Sequence, residues 1–457
     1  MRAPAFRLAA PCVILALVAA GCATPAVDPN EPMGDLPPMM VTFTHPVVID
    51  EVRSGGEPVL RISPTGTLFI ATHPGYTHAN VGGSPGPEVA EPVNGASYLF
   101  RSTDGGDTWQ VVGGALTEGQ TPRNPAAPGV SDPDLAFNAD GSRIVLVDLL
   151  FPGGVSAQAS SDDGRTWPQA TAAAHNPNDS DGLDRPWIAF AGDTFYLLYN
   201  GASDTTASDW RLRSSSDGIT WRDHATPGDG DFPGAMVADP NSGSLYIGDA
   251  TQVWASHDGG TTWAASAPLP AGDGIMDGII AQPPAVDAAG TVYFTWSEHE
   301  AIYYAYSDDG AATWHGPIDI TAAIPHKMEA GTHIWPWPAA GALGALSIVW
   351  AGANDTQQNA LNVKGPWFVH HATILNANSD APTIIAGPIP DAHIKDGGIC
   401  TSGTICQATQ SDRRLGDFLT NAIDAAGVVH IAYPTIVDER TISSPAYVRM
   451  SDGPLLR

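Results

Sequence analysis

The sequence predicts an all-β fold assembled from repeats of one small antiparallel sheet. Three observations lead to this prediction: an abundance of turn residues, a short turn motif that occurs five times, and a strand–turn–strand pattern that occurs seven times. The 49 Gly and 40 Pro residues favour many turns and few long helices, and a hydrophobic fraction of 43% suffices for a large core. A length of 457 residues fits one repetitive domain as well as several small ones.

The turn motif has the pattern Ser-x-Asp-x-Gly-x-Thr-Trp and occupies residues 102–109, 160–167, 214–221, 256–263 and 307–314. Its Asp can accept hydrogen bonds from backbone amides in a tight turn, its Gly tolerates positive φ, and its Trp packs between neighbouring sheets. In the third copy Ser216 takes the Asp position, and in the fifth Ala311 takes the Gly position. The motif therefore indicates structure and not chemistry. The structural residues predicted from it are Asp104, Trp109, Asp162, Trp167, Trp221, Asp258, Trp263, Asp309 and Trp314.

The second repeat sets the number of sheets. A short apolar strand, a turn that ends in Gly and a β-rich strand precede each motif, as expected of a hairpin. Two further copies, around Gly341 and Gly427, raise the count to seven. Seven four-stranded sheets around an axis form a seven-bladed β-propeller, which protects its strand edges by closing. Because the last blade ends near residues 451–453, we expect its outermost strand to come from residues 41–48.

The turn motif resembles the Asp box, or bacterial neuraminidase repeat, of the sialidase-like superfamily of β-propellers, and the resemblance covers nearly all of the chain after residue 40. It implies a six-bladed propeller as the alternative fold, because the catalytic domain of sialidases has six blades. It also implies an Arg-Ile-Pro motif, an arginine triad, an Asp acid/base and a Tyr nucleophile. The nearest match, residues 60–64, contains an inserted Ser63, and the loop at 73–96 contains no Asp. The sialidase acid/base therefore has no counterpart in this sequence.

The first 22 residues have the features of an export signal. Arg2 and Arg7 precede an apolar stretch that is too short for a full membrane span, and small residues lead to Cys22. This site resembles a bacterial lipobox, which implies that Cys22 is acylated; an ordinary signal peptide is the alternative. Residues 23–40 are Pro-rich and acidic, as in an extended tether. We expect an exported protein that is either a cell-surface or outer-membrane lipoprotein or secreted.

The remaining domain, residues 41–457, contains a predicted insertion at about 376–414 and two cysteines, Cys400 and Cys406. An isolated pair that closes a short loop predicts a disulfide in an oxidising compartment. A metal site would require two further ligands nearby.

The charge of the chain restricts its partners. Its formal net charge is −29, from 49 acidic and 20 basic residues. Nucleic-acid binding depends on clustered Lys and Arg, so DNA, RNA and anionic membrane surfaces are excluded. Membrane contact is expected only through the lipid anchor, and we expect a monomer.

Charged and aromatic residues directly precede the innermost strand of most blades, often followed by Pro. Equivalent positions in a propeller converge on one mouth of the central channel. Several carboxylates at one opening require a cation, an arginine or shared protons, so Arg185 and Arg61 serve as internal counter-charges in a purely structural alternative. The residues predicted to lie at a ligand site are Glu57, Arg61, Asp132, Asp184, Arg185, Asp231, His333, Trp335 and Asp417.

Two functions fit this arrangement. The first is binding of a glycan or other extracellular ligand at the channel mouth, with no chemistry. The alternative is a sialidase-like exo-glycosidase, a glycoside hydrolase with Asp132, Asp184 and Arg185 as catalytic candidates. No cofactor is expected. A structural calcium ion is compatible with the acids, but the sequence has no Asp-x-Asp-x-Asp loop, and its histidines lack zinc spacing, so no metal site is assigned.

Overall fold

The computed structural model describes most of the chain from Met40 onward, and Met40–Arg457 forms one compact unit. Residues 1–39, which hold the predicted signal peptide, Cys22 and most of the tether, lie outside the described residues. In the described part, no helix is long and apolar enough to span a membrane. The described residues are 40–73, 97–113, 131–150, 154–175, 183–201, 209–225, 227–228, 233–271, 282–298, 301–324, 331–357, 359–403, 405–437 and 442–457.

Seven antiparallel sheets form the blades of a β-propeller, which confirms the predicted fold class and excludes the six-bladed alternative. The chain begins with β1 (Thr42–Phe43) and β2 (Val47–Val48). Blades 1 to 3 then follow, each from its innermost to its outermost strand: β3 (Val59–Ile62), β4 (Leu68–Thr72), β5 (Tyr98–Ser102), β6 (Gln110–Gly113); β7 (Ser131–Phe137), β8 (Ile144–Leu150), β9 (Gly154–Ser160), β10 (Gln169–His175); β11 (Leu183–Ala191), β12 (Thr194–Gly201), β13 (Asp209–Ser215), β14 (Arg222–Asp223).

Blades 4 to 6 repeat this order, and blade 7 supplies only three strands from the end of the chain. Their strands are β15 (Val237–Ala238), β16 (Leu245–Gly248), β17 (Val253–Ser256), β18 (Ala264–Ala265); β19 (Ala285–Val286), β20 (Val292–Glu298), β21 (Ala301–Ser307), β22 (His315–Asp319); β23 (Thr332–Ala340), β24 (Leu346–Ala353), β25 (Pro366–Leu375), β26 (Thr383–Asp396); β27 (Thr420–Ile423), β28 (Val429–Thr435), β29 (Ser444–Asp452). The described helices are short: Thr321–Ala323, Ala360–Asn362 and Ile405–Ala408.

The second strands show why the blades stack. β4 (LFIAT) and β24 (LSIVWAGA) are buried along their whole length. Neighbouring blades cover both faces of such a strand, so its sequence is a nearly continuous apolar run. The core is therefore a series of layers between blades.

The N-terminal strands complete blade 7, as the sequence predicted. Thr42 and Phe43 pair with β29 at Asp452 and Met450, and Val47 and Val48 pair with β29 further along. The two ends of the folded chain thus meet in one sheet, and the ring closes by backbone hydrogen bonds.

The predicted insertion at 376–414 is corrected in part. Within it, Thr383–Asp396 pairs with β25 as the outermost strand of blade 6. Pro388 and Pro390 make this segment look unlike a strand in the sequence, because Pro has no amide hydrogen to donate to a sheet. An outermost strand tolerates Pro, because it is paired along one edge only. Cys400 and Cys406 follow the strand and form the predicted disulfide.

The repeated turns have closely similar hydrogen bonds, although in the fifth the Trp314 indole donates to Ser266 Oγ (3.1 Å) and not to its own turn. In the first, the Asp104 carboxylate accepts hydrogen bonds from the Ser102 hydroxyl (2.8 Å) and the Thr108 amide (2.9 Å), and the Trp109 indole donates to the Gly106 carbonyl (3.1 Å). The bonds from the side chain and amide of Thr108 lower the pKa of Asp104 to about 2.

The third turn differs from the sequence-based alignment. Asp217, and not the position of Ser216, accepts from the Ser215 hydroxyl (2.9 Å) and the Thr220 amide (2.7 Å). This turn is one residue shorter between its Asp and its Thr than the first, so Ser216 does not replace the Asp. In the fifth turn, Ala311 adopts φ 68° in place of glycine.

Gly218 in the third turn provides a test of packing between blades 2 and 3. A Cβ at Gly218 would lie 2.1 Å from Cγ2 of buried Val145, at φ 73°. Gly218→Ala should lower the free energy of unfolding by roughly 2 to 4 kcal/mol through backbone strain and overpacking. Gly192→Ala is the matched control, because φ there is 58° and nothing lies within 4 Å. Equal losses in chemical denaturation of both variants would contradict the packing argument.

Candidate functional site

A repeated backbone irregularity shapes one mouth of the channel. β7, β11 and β23 each shift register beside a Pro. The residue before that Pro has positive φ in each case, namely Asp132 (45°), Arg185 (54°) and Trp335 (62°), and Glu57 (50°) precedes Pro58 in the same way. A β-bulge re-aims a side chain and ends regular pairing. The bulge in three blades, and the positive φ that Glu57 shares with them in a fourth, therefore place four side chains at equivalent positions above the innermost strands.

Arg185 joins three blades across the channel axis. From blade 3 its guanidinium donates to Glu57 Oε2 (2.9 Å) before blade 1 and to Asp417 Oδ2 (2.5 Å) before blade 7. Arg413 donates to both oxygens of Asp417 (2.5 and 2.8 Å) and lies 3.5 Å from Glu57 Oε1. All four side chains are at most 4% exposed. These are the contacts expected of internal counter-charges.

Asp132 and Asp184 form a second part of the mouth. Their side chains share a hydrogen bond, and His73 Nε2 lies 3.5 Å from Asp132 Oδ1. Burial and the nearby charge of Asp132 raise the pKa of Asp184 from 3.8 to about 8. Burial disfavours ionisation of Asp132 also, but Arg185 and the hydrogen bonds from His73 and Asp184 hold its pKa well below the usual range. At neutral pH the pair therefore holds one proton, on Asp184.

We call these six residues the mouth cluster. Burial raises the pKa of Glu57 to about 7, against the opposing charge of Arg185. The cluster thus combines two guanidinium groups with four carboxyl groups. The raised pKa values of Glu57 and Asp184 mean that these two carboxyl groups keep a proton at higher pH than usual. The members of the mouth cluster are Glu57, Asp132, Asp184, Arg185, Arg413 and Asp417.

Three predicted site residues lie elsewhere or make different contacts. Arg61 sits further along the channel and pairs with Asp134 (2.9 Å), so it is a counter-charge but not a mouth residue. His333 packs inside blade 6, where its Nδ1 accepts from the Trp350 indole (3.0 Å) and burial lowers its pKa to about 3. Trp335 occupies the pre-proline position but is buried, at 2% exposure. Asp231 lies outside the described residues.

An aromatic layer lies directly beyond the mouth cluster. Trp187, Trp337 and Phe418 have ring centroids 5.0–6.1 Å apart, and each is at most 4% exposed. The Trp187 indole also donates to the Pro233 carbonyl (3.2 Å). Because these rings pack on one another, they support the charged groups and do not present open faces to a ligand.

Two further residues at the mouth, Arg413 and His73, carry no signal in the sequence pattern that predicts the others. Arg413 lies four positions before Asp417 in the segment RRLGD, where its neighbour Arg414 pairs instead with Asp412 (2.6 Å). Which of two adjacent arginines faces the channel depends on the loop conformation, which the sequence pattern does not specify. Among the described residues, no group of three or more His, Cys, Asp or Glu side chains is arranged to hold a metal ion.

The shared proton predicts a pH-dependent stability. The pKa of Asp184 is about 8 in the folded protein, against the usual 3.8. Between pH 3.8 and about 8, Asp184 therefore keeps its proton in the folded protein and loses it in the unfolded chain. The free energy of unfolding should therefore fall as the pH rises from about 4 to about 8. Asp184→Asn can donate to Asp132 but cannot ionise, so its melting temperature should fall less between pH 5 and 9. Asp193→Asn, at an exposed turn of the same blade, should keep the wild-type profile; identical profiles for all three proteins would refute the assignment.

Comparisons with known proteins give limited similarity. No family model matches the chain. A Paenibacillus sp. xyloglucanase is 30% identical over 262 residues, which are 48% of this chain. One similar solved structure is a Dyadobacter fermentans protein of unknown function, with a TM-score of 0.45 and 13% identity, covering 90% of this chain and 98% of that one. Another is a Penicillium chrysogenum α-L-arabinanase, with a TM-score of 0.44 and 15% identity, covering 89% of this chain and 98% of that one. A Trypanosoma rangeli sialidase is also similar, with a TM-score of 0.40 and 13% identity, covering 70% of this chain and 54% of that one. The chain spans 23% of the length of the xyloglucanase that it matches.

Proposed function

We propose that this protein is an exported propeller that binds a neutral glycan at the channel mouth without cleaving it. The observation that carries the proposal is the close pairing of the mouth carboxyl groups. Glu57 and Asp417 are bound by Arg185 and Arg413, and Asp132 and Asp184 are hydrogen-bonded to each other.

This pairing opposes glycoside hydrolysis. The two carboxyl groups of a glycosidase are about 5–5.5 Å apart in retaining enzymes and about 6.5–9.5 Å apart in inverting enzymes. Asp132 and Asp184 share a hydrogen bond, which leaves no room between them for a sugar carbon or a water molecule. Asp417 accepts hydrogen bonds from both Arg185 and Arg413, so its carboxylate is not available as a catalytic group.

The same pair suits glycan hydroxyl groups, which both donate and accept hydrogen bonds. Ionised Asp132 and the carbonyl oxygen of Asp184 offer acceptors to glycan hydroxyl groups, because the single proton of Asp184 is already bonded to Asp132. Both residues are partly exposed, while the rest of the cluster is buried. Similarity to a xyloglucanase supports a glycan as the ligand and makes xyloglucan the first one to test.

A glycoside hydrolase is the second candidate function, and one observation favours it. A general acid must hold its proton at the working pH, and the pKa of Asp184 is about 8. In that function Asp184 would donate the proton, Asp132 would accept or attack, and Arg185 would orient them.

The experiment measures binding and turnover on the same samples. The purified protein is tested on a glycan array that includes xyloglucan oligosaccharides, beside a panel of fluorogenic glycosides, with Asp132→Asn, Asp184→Asn and the control Asp193→Asn. Binding without turnover, weakened by the two mouth variants alone, supports the proposal. Turnover that Asp184→Asn abolishes at unchanged melting temperature establishes the hydrolase instead. No binding and no turnover overturns both.

We also propose that the chain is lipid-anchored through Cys22, on the basis of the signal sequence and the Pro-rich segment that follows. Intact-mass analysis of the protein from membranes should show a mature N-terminus at Cys22 with acyl chains. Cys22→Ala should release the protein or leave it unprocessed, and an unmodified Cys22 would disprove the anchor.

A further inference from the structure

A cavity occupies the channel beyond the aromatic layer. Its volume is about 360 Å³, and all seven blades contribute to its wall. The wall residues follow the mouth residues along each innermost strand: Arg61 and Ile62 follow Glu57, and Ile188 to Phe190 follow Arg185. Trp337 of the aromatic layer lines its inner end. The cavity is thus separated from the mouth cluster by the three packed rings.

Small side chains keep this part of the channel open. Ala136, Ala189, Ala238, Ala285 and Ala340 lie in five different blades and all line the cavity. A volume of this size is near the lower end of the range of about 300–1,000 Å³ for small-molecule sites. It therefore suits a compact ligand and not a long chain.

The wall is polar without a net charge. Each innermost strand pairs with the second strand of its blade. Some of its other backbone groups bond to a neighbouring blade, as the Leu60 amide does to Thr420 Oγ1 (2.9 Å) and the Ile188 amide to Asp134 Oδ2 (3.1 Å), and the remaining ones offer donors and acceptors to the channel. Arg61 is the charged side chain of the wall, its side chain is 24% exposed, and Asp134 balances its charge at 2.9 Å.

Asn421 adds a fixed amide to the wall. Its Nδ2 donates to Ser347 Oγ (2.7 Å), which in turn lies 3.0 Å from His371 Nε2. Burial lowers the pKa of His371 to about 3, so the ring is neutral and can accept from the Ser347 hydroxyl. Asn421 Oδ1 is buried and has no hydrogen-bond partner among the described residues, so the amide fixes this part of the wall and is not itself exposed to the cavity.

We propose that this channel cavity is a second binding site, for an uncharged mono- or disaccharide. Ring hydroxyls would pair with the remaining backbone donors and acceptors of the strand edges and with Arg61, whose side chain is 24% exposed. A charged sugar is disfavoured, because Asp134 already neutralises Arg61. The site is independent of glycan binding at the mouth.

Isothermal titration of the full-length protein with D-xylose, D-glucose and cellobiose tests the proposal, with D-glucuronate as the charged probe. At least one neutral probe should bind saturably and more tightly than glucuronate. Ala238→Phe fills the cavity from blade 4 and should weaken that binding about tenfold or more. Ala265→Phe, on the exposed outermost strand of the same blade, is the matched control. Ala340→Leu repeats the test from blade 6 if Ala238→Phe fails to fold.

The variants separate the two sites. Asp184→Asn should leave unchanged the part of the binding that Ala238→Phe removes, since Asp184→Asn alters only the mouth. The proposal is overturned if none of the neutral probes binds, if glucuronate binds equally well, or if Asp184→Asn weakens binding while the folded cavity variants do not.

Discussion

Arg185→Met should lower the free energy of unfolding by about 3 to 5 kcal/mol, because removing one partner of a buried ion pair leaves the others without compensation. Arg413 still neutralises Asp417 in this variant, so Glu57 and Asp132 bear most of the loss. Denaturant unfolding at pH 7 measures the effect.

The control is Arg165→Met, at a side chain that is 61% exposed and lies 3.8 Å from Asp163. An exposed pair of this kind contributes about 0 to 1 kcal/mol. The loss in Arg185→Met should also shrink as the pH falls towards 7 from above, because the pKa of Glu57 is about 7 with Arg185 present and rises without it, so the variant takes up a proton there that the wild type does not. A loss no greater than that of Arg165→Met would show that the mouth cluster is not held by Arg185.

Deleting residues 41–50 should unfold the protein or make it aggregate. The deletion removes both strands that pair with β29 and so exposes the edge of blade 7. It also removes Phe43, whose ring contacts His371 of blade 6 at 4.9 Å. Size-exclusion chromatography and thermal melting report the outcome.

A synthetic peptide of residues 41–50 provides the control, since an added strand can restore a sheet edge. It should return the truncated protein to the monomer fraction and raise its melting temperature. A truncated protein that melts like the wild type without the peptide would contradict the closure.

The blade count could be predicted because the hairpins around Gly341 and Gly427 keep their strand–turn–strand pattern although the Asp-containing turn is lost there. The turn residues and the alternation of the two flanking strands determine such a hairpin, so it can be recognised from a short stretch of sequence. The third turn and β26 were harder to predict from the sequence. A one-residue shortening moved the Asp role to Asp217, and prolines hid a strand that only its partner β25 defines.

The candidate site could be predicted only in part. The pre-proline positions brought Glu57, Asp132 and Arg185 together as their equivalence implied. His333 occupies an equivalent position and was expected at the mouth, whereas its side chain turns into blade 6 against Trp350. A strand position specifies where a residue lies along the channel, but the side to which it points depends on the bulge, and a one-residue shift reverses it.

Closure of blade 7 by the N-terminal strands has a consequence for folding. Thr42 and Ser451, which are hydrogen-bonded across this sheet, are 409 residues apart in sequence. At ribosomal rates of about 5–20 residues per second, β1 would wait roughly 20 to 80 s for its partner strand. Contacts of such high sequence separation slow folding, because the entropy of loop closure must be overcome first. The ring can therefore become a cooperative unit only after the whole chain has been synthesised, and until then β1 and β2 need protection from pairing with other chains.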